Sequence, residues 1–185
     1  MKSLHFIAIM VLLVGETFAQ TNQNIRADLP AEGSEDLLLH SIIVRLQLSR
    51  EVAWTKFCTH ARVSDPAREA KVLADLKGEG RKVGISPEEV SFFFKPQIVA
   101  SCRLQEELIA GWRSGFPHPS TQPMDLQRDI RPLIDKVSHD LLLEWKANSS
   151  RSFDRSDFYS AEEMIEKYGF SSDVARIAAR PLGPR

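Results

Sequence analysis

The chain has 185 residues, enough for one domain of ordinary size, with 24 basic and 25 acidic side chains and a formal net charge of −1. That balance excludes a global field pulling the protein onto nucleic acid or an anionic membrane, so any anion site must be local. Its two cysteines, Cys58 and Cys102, are too few for a disulfide-stapled scaffold and lack the spacing of a zinc ligand set.

The chain opens with a targeting pattern. Lys2 is a short cationic lead, and Phe6 to Val14 is an apolar run shorter than the roughly 20 residues of a membrane-spanning helix. Thr17 and Ala19 are small residues at the −3 and −1 positions of a cleavage point before Gln20. Residues 1–19 are therefore predicted to be a signal peptide, with an uncleaved anchor as the competing reading. The mature chain would be exported to the periplasm or beyond, with no membrane attachment after cleavage. Residues 20–33 read as a polar leader and 34–180 as a single all-α domain.

Ser34 is a good N-cap for a first helix, with Glu35 and Asp36 favourable in its first turn. Helical periodicity continues to Phe57. A second helix opens at Asp65-Pro66, a cap followed by proline at the first position, and closes near Gly84. The third starts with "SPEE", where Ser86 caps and Glu89 completes a capping box, and runs to about Gly111 or Gly115. Pro96 inside it removes one backbone bond and predicts a kink. These three site helices occupy 34–115. A linker at 116–123 leads to C-terminal helices at 124–180. The fourth helix spans about Met124 to Ala147, Ser160 and Glu163 cap a fifth, and Ser171 to Arg180 is a last helical piece stopped by Pro181. The class is a bundle of about five to six helices with no strand pattern.

Polar residues interrupt the apolar stripes. On the first helix Leu38, Ile42, Arg45, Ser49, Val52 and Lys56 recur at alternating spacings of four and three, so two cations share the core-facing line. Snorkelling to water explains either one alone. Both together are costly unless an anion compensates, since each ion taken out of water costs several kcal/mol. On the third helix Gln97, Ser101 and Gln105 share the stripe of Val90, Phe94, Leu108 and Trp112. Arg68 sits in the first turn of the second helix, where the macrodipole disfavours a cation unless an anion binds there. Glu69 is placed to pair with a cation or accept from a hydroxyl. Arg131 stands just before Pro132, where a helix must start or kink.

Taken in order, "K-x8-D-x2-R-E" from Lys56 and "FFF-x2-Q-I-x2-S-x3-Q" from Phe92 resemble the all-α chorismate mutases. The leader, the long second half and "IRPLID" look like their exported, monofunctional subclass. The resemblance covers roughly residues 37 to 145. It implies a helical bundle, often a homodimer, that rearranges chorismate to prephenate without cofactor or metal. Carried over by position, Arg45 would bind a substrate carboxylate, and Lys56 the ether oxygen with the adjacent carboxylate. Gln105 would reach the ether oxygen from the other side. Arg68 and Ser101 would hold the ring side, Asp65 and Glu69 the ring hydroxyl, and Arg131 would complete the pocket within one chain. Val72 stands where exported members tend to carry a polar group, so the hydroxyl contact falls to Glu69. No C-terminal cysteine pair is present. Cys58 and Cys102 are predicted to point away from the pocket, with a disulfide between them not favoured. Two other functions fit this pattern: a pyruvate lyase acting on isochorismate, and a catalytically silent secreted partner-binding protein.

Overall fold

The computed structural model describes residues 34–184, with side chains from Leu37 onward. The signal peptide, the leader and the side chains of Ser34, Glu35 and Asp36 lie outside the described residues. The elements in chain order are α1 (Ser34–Thr59), α2 (Pro66–Lys82), α3 (Pro87–Arg113), a π-helical turn (Leu126–Ile130), α4 (Arg131–Ala147), α5 (Arg155–Lys167), α6 (Ser172–Ala179) and a closing 3₁₀ turn (Arg180–Leu182). Among these residues there is no strand, and no helix is long and apolar enough to cross a membrane.

Helix α1 is apolar on nearly every side, with Leu38, Ile42, Ile43, Val44, Leu46, Leu48, Val52, Ala53 and Trp54 all buried. A helix with no solvent face has to be surrounded, and α1 is the central rod. It ends in a Schellman-type closure: Ala61 N–H reaches Lys56 O at 2.9 Å, with His60 in the left-handed region at φ 55°. Asp65 then caps α2 by accepting from Arg68 N at 3.1 Å. Helix α2 meets α3 closely at Gly80, where a β-carbon would stand 2.6 Å from Val90 Cγ2. Ser86 caps α3 by accepting from Glu89 N at 3.1 Å, and the helix continues without a break through Pro96.

The predicted linker is docked. Trp54 Nε1 donates to Thr121 O at 2.9 Å, Thr55 Oγ1 donates to Met124 O at 2.8 Å, and the His118 ring stacks on Trp54. The fourth helix starts later than predicted, as a π turn from Leu126 that becomes α-helical at Arg131. Pro132 has no N–H to give to the carbonyl four residues back, and the wider turn avoids that clash. The fifth helix starts earlier. Asp154 and Asp157 form a reciprocal capping box, which leaves Ser160 inside the helix rather than at its cap.

The main core joins Leu38, Ile42 and Leu46 of α1 to Phe93 and Phe94 of α3, Leu141 and Leu142 of α4, and Ile165 and Val174 of the C-terminal pair. Arg50 fastens that pair to α1. Its Nη2 donates to Gly169 O at 2.9 Å beyond the end of α5, and its guanidinium lies 4.3 Å over the Phe170 ring. A smaller cluster of Ala53, Trp54, Ile109 and Trp112 packs at the Lys56 end of α1.

Candidate active site

All nine residues singled out in the sequence line one cavity of about 110 Å³. Arg45 and Lys56 come from α1, Asp65 from the cap of α2, and Arg68, Glu69 and Val72 from α2 itself. Ser101 and Gln105 come from α3 and Arg131 from the first residue of α4. The four helices thus wall the cavity on four sides.

Arg45 forms its buried end, with 5% of its surface exposed. Its Nη1 donates to Ser101 Oγ at 2.6 Å and to Gln97 O at 2.9 Å, and its Nε donates to Ser138 Oγ at 3.4 Å. Every one of those partners is neutral. Burial pulls the Arg45 pKa down to about 10, which leaves the guanidinium charged at neutral pH. A buried cation without a carboxylate contact is the arrangement that a bound anion would relieve. Ser101 supports it: the hydroxyl proton goes to Gln97 O at 2.9 Å and the oxygen accepts from Arg45. Gln97 itself is structural, its Nε2 donating to Ala178 O at 2.7 Å.

At the other end Lys56 Nζ donates to Val63 O at 2.7 Å and to Gln105 Oε1 at 2.9 Å. An ammonium can only donate, so it fixes the Gln105 amide with its oxygen towards Lys56 and its NH₂ as the remaining end. Burial lowers the Lys56 pKa, and nearby Arg131 lowers it further, against the opposing pull of Cys102, Asp65 and Glu69.

The open side is a rim of alternating charge. Arg68 Nη2 pairs with Asp135 Oδ1 at 2.6 Å, and Arg131 Nη2 lies 3.6 Å from Asp65 Oδ2. Glu69 Oε1 accepts from Asp65 N at 3.2 Å. Val72 adds apolar wall and packs on the main core.

Cys102 corrects the sequence reading. It lines the cavity, and its Sγ is 3.8 Å from Glu69 Oε1. The 100° that separates it from Ser101 turns it towards α2 rather than out of the pocket, because two adjacent faces of α3 border the cavity. Burial, with Glu69, pushes its thiol pKa up. Both Cys58 and Cys102 are free thiols. Sequence reasoning also missed Ser138 and Asp135. The signal was present in "RPLIDKVS", where positions 131, 135 and 138 follow the four-and-three spacing of one helix face. Among the described residues no cluster of three or more His, Cys, Asp or Glu is arranged to hold a metal ion.

The cavity therefore offers four cationic side chains and a directed amide in a small space with one open side. Such a site binds a compact molecule with two or more negative groups and stabilises negative charge between Lys56 and Gln105.

Residues 35–106 match the family model of chorismate mutase type II. The chain is 31% identical over 108 residues to the secreted chorismate mutase of Mycolicibacterium smegmatis, covering 55% of this chain and 60% of that one. It is 30% identical over 98 residues to the secreted chorismate mutase of Yersinia pestis, covering 53% and 52%. These matches span between half and three-fifths of the curated relatives' length. The chorismate mutase from Burkholderia thailandensis superposes with a TM-score of 0.70 at 26% identity, covering 80% of this chain and 97% of that one.

Proposed function

We propose that this chain, whose residues 35–106 match the family model of chorismate mutase type II, is an exported enzyme that rearranges chorismate to prephenate. The Lys56–Gln105 hydrogen bond carries the reading. It sets an ammonium beside an amide whose N–H groups have no other partner among the described residues, in a cavity with a buried guanidinium at its far end.

The rearrangement breaks an ether C–O bond and forms a C–C bond within one molecule, so the protein needs no nucleophile or base for it. Two demands remain. The flexible dianion has to be held in its compact, reactive shape, and negative charge growing on the ether oxygen has to be stabilised. Arg45 binds one carboxylate at the buried end. Arg68 and Arg131 meet the other at the rim, and Glu69 with Asp65 accepts from the ring hydroxyl. Lys56 and Gln105 Nε2 donate to the ether oxygen. Ser101 acts through Arg45 in this scheme, since its proton is already given to Gln97 O. A rate acceleration of 10⁶ asks for about 8 kcal/mol, within reach of several such contacts. The N-terminal targeting pattern and the secreted relatives support export.

The test follows chorismate's ultraviolet absorbance with the mature protein beside Lys56→Ala. Prephenate should be the product, and the variant should lose about 10²–10³-fold in kcat, the range for one donor at a developing oxyanion. Pyruvate released from isochorismate would move the chain to the lyase reading. No turnover of either would leave a secreted binding protein with the same fold.

A further inference from the structure

Two ion pairs join the start of α2 to the start of α4, and they run in opposite senses. Arg68 of α2 reaches Asp135 of α4, while Arg131 of α4 reaches Asp65 at the cap of α2. Each element gives one cation and receives one. In both pairs the arginine is the inner member. The Arg68 and Arg131 side chains are 23% and 26% exposed, against 55% for Asp135 and 45% for Asp65. Asp135 stands outside the cavity wall that Arg68 lines.

At 2.6 Å the Arg68–Asp135 contact has the length of a charge-assisted hydrogen bond. A guanidinium has five donors in a rigid plane, so a carboxylate on its outer edge fixes the plane and leaves donors for the inner edge. This also accounts for a cation in the first turn of α2. The helix dipole disfavours it there, and a carboxylate from another helix supplies the missing counter-charge.

We infer that Asp135 is a positioning residue: from outside the pocket it holds the Arg68 guanidinium in the plane that meets a substrate carboxylate, with Arg131–Asp65 as the other half of the same clasp. The assignment rests on the mutase reading of the cavity. Asp135 acts through Arg68 and touches no reacting atom.

Two consequences of its charge oppose each other and separate in kinetics. A carboxylate near the rim repels a dianion equally in the ground and transition states, which weakens binding without altering the bound reaction. Fixing the plane of Arg68 matters most in the transition state, where misplaced contacts are costly. Asp135→Asn removes both. The expected result is a kcat lower by about tenfold, with KM unchanged or reduced. Asp135→Glu keeps the charge on a longer stem and should recover most of the loss. In an Arg68→Lys background, Asp135→Asn should cost little more, because the plane it fixes is gone.

The experiment is steady-state kinetics on chorismate with the mature chain, its Asp135→Asn and Asp135→Glu variants, the Arg68→Lys pair, and Asp75→Asn. The last removes the Lys71–Asp75 pair, 2.7 Å apart and equally exposed at its carboxylate, and should leave both constants at wild-type values. A wild-type kcat in Asp135→Asn, or a loss carried wholly by KM, overturns the assignment while the mutase reading stands. A wild type that does not turn over chorismate removes both.

Discussion

Gln105 is a buried amide whose orientation is set by a single neighbour, Lys56. An amide donates at any pH, whereas a carboxylic acid in its place donates only while protonated. Wild-type kcat/KM should be nearly flat from mildly acidic to mildly alkaline pH. A Gln105→Glu variant should work best in acid and lose activity steadily as pH rises. Collapse of the wild-type profile between about pH 6 and 8 would sink this assignment.

The alkaline limb takes in two cations, Arg45, whose pKa burial lowers to about 10, and Lys56. The folded pKa of Lys56 lies below the ordinary lysine value of 10.5, chiefly through desolvation, so the native protein sheds this proton before the unfolded chain does. Burying the charge therefore costs stability at neutral pH, and the cost is relieved as pH climbs through the folded pKa towards 10.5. Activity should fall over that window. A bound dianion favours the charged lysine and should move the limb of kcat to higher pH than that of kcat/KM, which two parallel pH profiles would reveal.

Among the elements, α2 is the one whose placement decides the site, since it carries Arg68, Glu69 and Val72. Gly80 lets it approach α3 at Val90, a side chain with 0% exposure that has little room to move. Gly80→Ala gains helix propensity of up to about 1 kcal/mol but forces a methyl into a closed contact, for which overpacking costs about 1–3 kcal/mol. The net expectation is a destabilisation of about 1 kcal/mol in chemical denaturation, with KM rising as α2 lifts its pocket residues. A variant more stable than wild type, with unchanged kinetics, would mean the approach at Gly80 is not tight. Much of α2 was legible beforehand, because the Asp65-Pro66 start and the Gly84 stop are local signals. The start of α5 was not. Ser160 and Asp154 both present capping chemistry, and the choice went to Asp154, whose carboxylate is answered by Asp157.

For the whole molecule, the nine site residues come from four helices of one chain, with Val63 and Leu126 from the connecting segments completing the lining. If the active unit is a homodimer, as the resemblance implies, none of the nine site residues has to come from the second copy, since one chain supplies them all. Specific activity should then stay constant on dilution from micromolar to low nanomolar concentration, measured by initial rates beside a sizing method that follows any dissociation. Activity lost in step with dissociation would show that a second chain completes or braces the pocket. Arg50 is the long-range strut of this scale. Its guanidinium is held at about pKa 10 by burial and ties α1 to the carbonyl beyond α5, 119 residues away.

The sequence by itself determined the helical class, the caps at Asp65 and Ser86, and the line of polar groups on α1 and α3. Each of these depends on residues within a turn or two of one another, so helical period and capping chemistry settle them locally. Only the tertiary structure decided that Arg45 meets neutral partners alone, that Cys102 turns into the cavity, and that Asp135 and Ser138 of α4 reach Arg68 and Arg45 from behind. Those contacts join groups 33 to 93 residues apart, as in Cys102–Glu69 and Arg45–Ser138. A helical projection gives the angle at which a side chain leaves its own helix. Which neighbour stands at that angle is fixed when the helices pack.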